Sequence, residues 1–206
     1  MRALLTPKRT ADDQIEIPVE TPAIAQALAQ TLRELNLGED VVAGLESVCI
    51  RFHPSKACEI ATRLKQDVKL SATSAEDAAI IEVAMRYGGQ DGPDLEQICQ
   101  GLSMSVEAFV ALHTGRVHKV EMIGFTPGFS YISGLPKGIK IPRLAQPRSR
   151  VAAGSVGISA DFTGLYALAG PGGWPLIGRT EEPLFDADSD DPFRLKPGQR
   201  VTFRAI

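Results

Sequence analysis

Apolar and polar residues alternate at Ile15, Ile17 and Val19, the period of a half-buried strand. The period then lengthens. Ile24, Leu28, Leu32 and Leu35 share one face of a helix that Thr21 caps, Pro22 opens and Gly38 stops. Val48, Ile50 and Phe52 return to alternation, and His53-Pro54-Ser55 turns the chain. Ile60 and Leu64 mark a second amphipathic helix, and Ile81, Val83 and Met85 read as another strand. Strand–helix–strand–helix–strand predicts a small α+β domain of ferredoxin-like type over residues 1–85.

The turn-forming run Gly88-Gly89-Gln90-Asp91-Gly92-Pro93 separates that pattern from the next. Two short helices follow. Asp94 and Gln97 fit a capping box for the first, and Ser105 caps the second, which carries Val106, Phe109, Val110 and Leu112. Beyond His118 the texture changes. Eleven of the 19 glycines lie between Gly124 and Gly178, and half of the 14 prolines between Pro127 and Pro183, separated by short apolar runs too brief for an amphipathic helix. Short strands broken by glycine predict a small closed barrel or sandwich within residues 86–206.

Charge changes the picture in this second half. Met122–Thr180 holds Lys137, Lys140, Arg143, Arg148, Arg150 and Arg179 against the single acid Asp161, in a chain whose net charge is -3. Glycine lets backbone N–H groups approach an anion, and arginine adds a planar fork matched to carboxylate or phosphate. The pattern predicts a pocket for a small anion. Aromatics are too sparse for a nucleic-acid face, so no nucleic-acid partner is expected.

Other chemistry is largely excluded. Cys49, Cys58 and Cys99 are an odd number without CxxC spacing, which fits reduced, buried thiols. No stretch approaches the ~20 apolar residues of a membrane span, and the N-terminus lacks the apolar core of a signal peptide, so a cytoplasmic protein without membrane contact is expected. There is no GxxxxGK[ST] loop, and His113 and His118 lack metal-site spacing; no metal site is expected, and His113 reads as a packing histidine. Asp186-Ala187-Asp188-Ser189-Asp190 imitates a calcium loop, but Asp191 stands where glycine is needed, which leaves an acidic surface turn. Ser155 reads as a hydrogen-bonding loop residue.

One stretch is more specific. Gly124-Phe125-Thr126-Pro127-Gly128-Phe129-Ser130-Tyr131, Pro142-Arg143, Pro147-Arg148, Ala153-Gly154-Ser155-Val156-Gly157, Thr163-Gly164-Leu165-Tyr166 and Pro171-Gly172-Gly173-Trp174-Pro175 together resemble the family of the 5-oxoprolinase B-type chains, which includes allophanate hydrolase subunit 1 and the KipI inhibitor of a histidine kinase. The resemblance is dense from about residue 80 to 206. It departs from the family pattern at Leu144, Ala152, Phe162 and Gly170, where two polar pocket candidates are lost.

The resemblance implies a cyclophilin-like barrel. It implies a B-type component working with C-type and A-type partners in ATP-dependent opening of 5-oxoproline or a similar small amide or lactam, with ATP shared among the chains and this one inactive alone. Kinase inhibition, and a role in allophanate or urea metabolism, are the alternatives. It implies that Phe125, Pro127, Gly128 and Phe129 form one pocket wall and Gly173 and Trp174 the opposite one. Arg143, Arg148 and Arg179 would hold anionic groups, and the backbone at Gly154 and Ser155 would serve an oxyanion. Thr163 joins the substrate-binding set, and no catalytic residue is assigned.

Overall fold

The computed structural model describes residues 2–3, 5–64, 68–69 and 79–206. They divide into two compact units, Met1–Ala75 and Glu76–Ile206.

In the first unit, β1 (Arg2–Ala3), β2 (Lys8–Ala11), β3 (Gln14–Pro18), α1 (Pro22–Glu34), β4 (Asp40–Ala43), β5 (Ser47–Arg51), α2 (Ala57–Leu64) and β6 (Val68–Lys69) follow in order. The sheet runs β2-β3-β5-β4 with every neighbour antiparallel, and β1 pairs separately with β6. Thr21 caps α1 by accepting the Ile24 N–H at 3.3 Å, with Pro22 in the first turn. The helix buries Leu28 and Leu32 in one core with Ile15, Ile17, Val48 and Ile50. The expected ferredoxin-like succession needs a further strand at Ile81–Met85; that strand belongs to the other unit, and the boundary lies before residue 85.

The second unit contains β7 (Ile81–Tyr87), α3 (Leu95–Gly101), α4 (Val106–Thr114), β8 (His118–Ile123), β9 (Ser130–Ser133), β10 (Arg148–Val151), β11 (Ser155–Ser159), β12 (Phe162–Leu165), β13 (Gly170–Gly172), β14 (Leu176–Arg179) and β15 (Arg200–Ala205). Seven strands close a barrel in the order β11-β12-β9-β8-β15-β7-β14, and β10 and β13 form a ribbon outside it. β7 is captured here because the C-terminal strand pairs with it in parallel, Val201 opposite Ile81 through Ala205 opposite Met85. Hydrophobic periodicity reports that a strand exists but not which partner it takes.

The barrel is filled by Val83, Met85, Val120, Ile132, Ile158, Ile177 and Phe203, and α4 adds Phe109. Ser105 caps α4 through the Ala108 N–H at 3.1 Å. No described helix is long and apolar enough to cross a membrane.

Candidate functional site

The loop between β8 and β9 is a tight reversal. Thr126 N–H donates to Gly124 O at 2.9 Å, Phe129 N–H to Thr126 O at 3.0 Å, and Gly124 N–H back to Phe129 O at 3.1 Å. The geometry forces Phe125 to φ +71°, a region that bulky side chains rarely adopt, and leaves the residue 63% exposed. Pro127 is exposed beside it, whereas Phe129 is buried.

Phe129 meets four rings edge-on: Tyr131 and Tyr166 at 4.9 Å between centroids, Phe125 and Trp174 at 5.6 Å. This is the favoured arrangement of aromatic quadrupoles. The rings close together because residue 164 is glycine; a Cβ there would lie 2.6 Å from the Trp174 ring and 2.8 Å from Phe129. Gly128 is similarly tight, its Cβ position 2.7 Å from that of Ala167. The two aromatic loops expected as opposite walls of a pocket therefore meet in one packed cluster. Gly173 lies at its margin, where its carbonyl accepts the Leu144 N–H at 2.8 Å.

The arginines divide by role. Arg148 donates from Nη2 to Asp94 Oδ1 at 2.8 Å, while Asp94 Oδ2 accepts the Leu176 N–H at 2.6 Å. Asp94 therefore does not cap α3, as its sequence position suggests; its side chain makes no cap bond. The anion that Arg148 holds is the chain's own, although its Nη1 is buried without a hydrogen-bond partner. Arg179 donates from Nε to Ala153 O at 3.0 Å. Arg143 is exposed and makes no hydrogen bond or ion pair among the described residues.

The charge of Arg143 reaches the aromatic cluster. Burial raises the Tyr131 phenol, and Arg143 opposes that rise. Burial likewise raises Tyr166, opposed by a hydrogen bond with the Trp174 backbone and by the charges of Arg143 and then Arg148. The phenols stay neutral and serve as hydrogen-bonding groups at a cationic edge.

The amides expected to serve an oxyanion are engaged elsewhere. Gly154 N–H donates to Tyr166 O at 2.7 Å and Ser155 N–H to Ala152 O at 3.3 Å. Gly154 sits at φ +80° with its Cβ position 2.1 Å from Thr180 O, so it fixes a close strand crossing rather than a cradle. Ser155 is buried.

Thr163 points to a different network in the barrel interior. Its Oγ1 lies 3.0 Å from His113 Nε2, and His113 Nδ1 lies 2.6 Å from the Tyr87 hydroxyl. His113 also stacks on Phe203 at 4.4 Å and is fully buried. Burial, and secondarily His118, depress its pKa to about 3. It is the packing histidine that the sequence predicts, held neutral.

A cleft of about 380 Å³ opens between α3 and the segment from Lys140 to Ala145. Gln97, Ile98 and Leu102 line one side and Lys140, Pro142 and Arg143 the other. Of the expected site residues only Arg143 lines it. By sequence Gln97 fits a helix cap and Lys140 is one basic residue among six; neither carries a local signature of its place in a cavity.

The carboxyltransferase domain, subdomain C and D, matches residues 7–195. The chain is 38% identical over 178 residues to the 5-oxoprolinase B subunit of Escherichia coli O157:H7, covering 85% of this chain and 82% of that one. It is 41% identical over 148 residues to the 5-oxoprolinase B subunit of Bacillus subtilis, covering 69% of this chain and 62% of that one. Among solved structures, TTHA0988 superimposes with a TM-score of 0.78 at 29% identity, over 94% of this chain and 40% of that one. PH0987 from Pyrococcus horikoshii gives 0.60 at 30% identity, over 98% and 97%. The urea amidolyase of K. lactis shares the fold at 0.76 with 17% identity, over 98% of this chain and 15% of that much longer one. The sequence match over nearly the whole barrel and the shared architecture agree, and the chain belongs to the carboxyltransferase-domain family, subdomains C and D, that includes the 5-oxoprolinase B subunits.

Proposed function

We propose that this chain is the B-type component of an ATP-hydrolysing amidohydrolase complex that opens 5-oxoproline, or a similar small lactam, together with C-type and A-type partner chains. The observation that carries the reading is Arg143: a guanidinium unpaired among the described residues, at the edge of the Phe129–Tyr131–Tyr166–Trp174 cluster, in a chain 38% identical to a 5-oxoprolinase B subunit. The barrel is of cyclophilin-like type in this reading.

A lactam carbonyl is a poor electrophile. Transfer of the ATP γ-phosphoryl group to its oxygen activates the carbonyl carbon. Water adds there, and the ring C–N bond breaks with the nitrogen leaving as the amine. A second water cleaves the resulting acyl phosphate to glutamate and phosphate, with ADP left from the first transfer. The share of this chain is to bind and orient. Arg143 takes the substrate carboxylate, and Tyr131 and Tyr166 offer neutral hydroxyls near it. The sequence has no P-loop, so the nucleotide belongs to the assembled complex.

The chain is inactive alone in this reading because its acid–base candidates are engaged. Asp94 is neutralised by Arg148, and His113 is buried and neutral at physiological pH. A proton acceptor for the attacking water then comes from a partner.

The test is reconstitution. Glutamate and phosphate release are measured for the chain alone, for each pair and for the three chains together. Turnover only in the full assembly is expected; turnover by the isolated chain, or none by the assembly, rejects the proposal. The exposed Phe125 and Pro127 favour one competing reading, a groove that grips a proline-containing segment of a histidine kinase. Inhibition of kinase autophosphorylation by the chain alone, without turnover in the assembly, would select it.

A further inference from the structure

We propose that the cleft between α3 and the Lys140–Ala145 segment is a binding site for a small organic acid, with Lys140 and Arg143 receiving the acid group. Both walls are built rigidly. Ile139 and Ile141 are buried on either side of Lys140, and Ile141 exchanges two backbone hydrogen bonds with Ala160, at 2.7 and 3.0 Å. Leu144 is pinned to Gly173, and α3 is anchored by buried Leu95, Ile98 and Cys99. The two cations on this fixed wall have no hydrogen bond or ion pair among the described residues. The one carboxylate that lines the cleft, Asp94, is compensated by Arg148 and by the Leu176 N–H. The cleft is therefore net cationic.

The remaining lining selects the ligand. Ile98, Leu102, Pro142 and Pro175 offer apolar contact, and Gln97 can both donate to and accept from an amide. A volume of about 380 Å³ suits a compact molecule rather than a bare ion. The chemistry matched is one carboxylate on a small, largely apolar body. This deepens the proposed function and rests on it only for the choice of probe.

The full chain is titrated with 5-oxoproline, with 2-pyrrolidinone (the same ring without its carboxylate) and with inorganic phosphate, following backbone amide signals by NMR. The expected result is that 5-oxoproline shifts Gln97, Leu102 and Arg143, and that 2-pyrrolidinone and phosphate bind at least about tenfold more weakly. Lys140→Ala should weaken 5-oxoproline severalfold. Gly101→Leu should abolish binding, because a Cβ at Gly101 meets nothing within 4 Å and a larger side chain would enter the cleft. Equal binding of 2-pyrrolidinone or phosphate, unchanged affinity in both variants, or no binding of 5-oxoproline overturns the assignment. In the reconstituted complex, an unchanged KM with folded Gly101→Leu overturns the cleft and leaves the proposed function standing. Binding by the isolated chain, with no turnover in the complex, does the reverse.

Discussion

Arg148 and Asp94 are 54 residues apart in the chain and joined at 2.8 Å. The pair ties the β10–β13 ribbon to the start of α3, and the second Asp94 oxygen extends the tie to the Leu176 N–H that opens β14. Asp94 is nearly buried and Arg148 partly so, with side-chain exposures of 13% and 30%. Such a pair lies between the surface bridges that contribute little and the buried ones whose rupture strands a charge.

The first prediction follows from that geometry. Arg148→Ala leaves the Asp94 carboxylate with one backbone donor, and it should lower stability by about 1–3 kcal/mol. In a double-mutant cycle with Asp94→Ala, the two losses should not add. Urea unfolding at pH 7 measures both. Additive losses would separate the two residues energetically and return Arg148 to the role of an anion ligand.

The second prediction concerns pH. The folded-state pKa of His113 is depressed to about 3, against 6.5 in the unfolded chain, so below 6.5 the unfolded state binds a proton that the folded state refuses. The stability contribution is fully present above pH 6.5 and falls as pH drops toward 3, by about 1.4 kcal/mol per unit for this one group. His113→Phe keeps a ring against Phe203 but strands the hydroxyls of Tyr87 and Thr163. It should be destabilised at pH 7 by about 1–3 kcal/mol, with a shallower loss toward pH 5 than the parent. Urea midpoints between pH 5 and 8 decide it; parallel curves would mean that His113 titrates normally.

Local signals were legible in the sequence, and long-range ones were not. The caps at Thr21 and Ser105 are decided within three residues, and both form. Asp94 has the same cap-like context, yet its carboxylate goes to Arg148 and Leu176, partners that no local window contains. The strand at Ile81–Met85 was visible, but its place beside β15 depends on residues some 120 positions later. The glycine-, proline- and arginine-rich stretch predicts short strands closing on one another, and most of its strands do enter the barrel. Which arginines stay unpaired among the described residues, and that Phe129 and Trp174 touch across Gly164, depends on how the barrel closes.

The third prediction tests that closure. Gly164→Ala would drive a methyl group into Trp174 and Phe129. Overpacking of this kind costs about 1–3 kcal/mol. Trp174 is the single tryptophan, so its fluorescence reports the cluster directly. A shifted emission maximum together with a lower unfolding midpoint is expected. A spectrum and midpoint identical to the parent would mean that the cluster has slack that its ring distances do not suggest.

The fourth prediction separates stability from function at one residue. Phe125 holds a left-handed backbone conformation at φ +71° while leaving most of the residue in water. A bulky residue there carries strain of about 1 kcal/mol or more, and an exposed ring returns little burial energy to offset it. Glycine accepts the same φ without strain. Phe125→Gly should therefore leave the chain as stable as the parent, or more so, in urea unfolding, even after allowing for the edge-on contact with Phe129. If the strained ring is held out to meet a partner chain, the same variant should weaken assembly of the reconstituted complex by about tenfold, read by analytical ultracentrifugation. A variant that loses stability but assembles normally would show that Phe125 is a lid over Phe129 and that the exposed face is not where the complex joins.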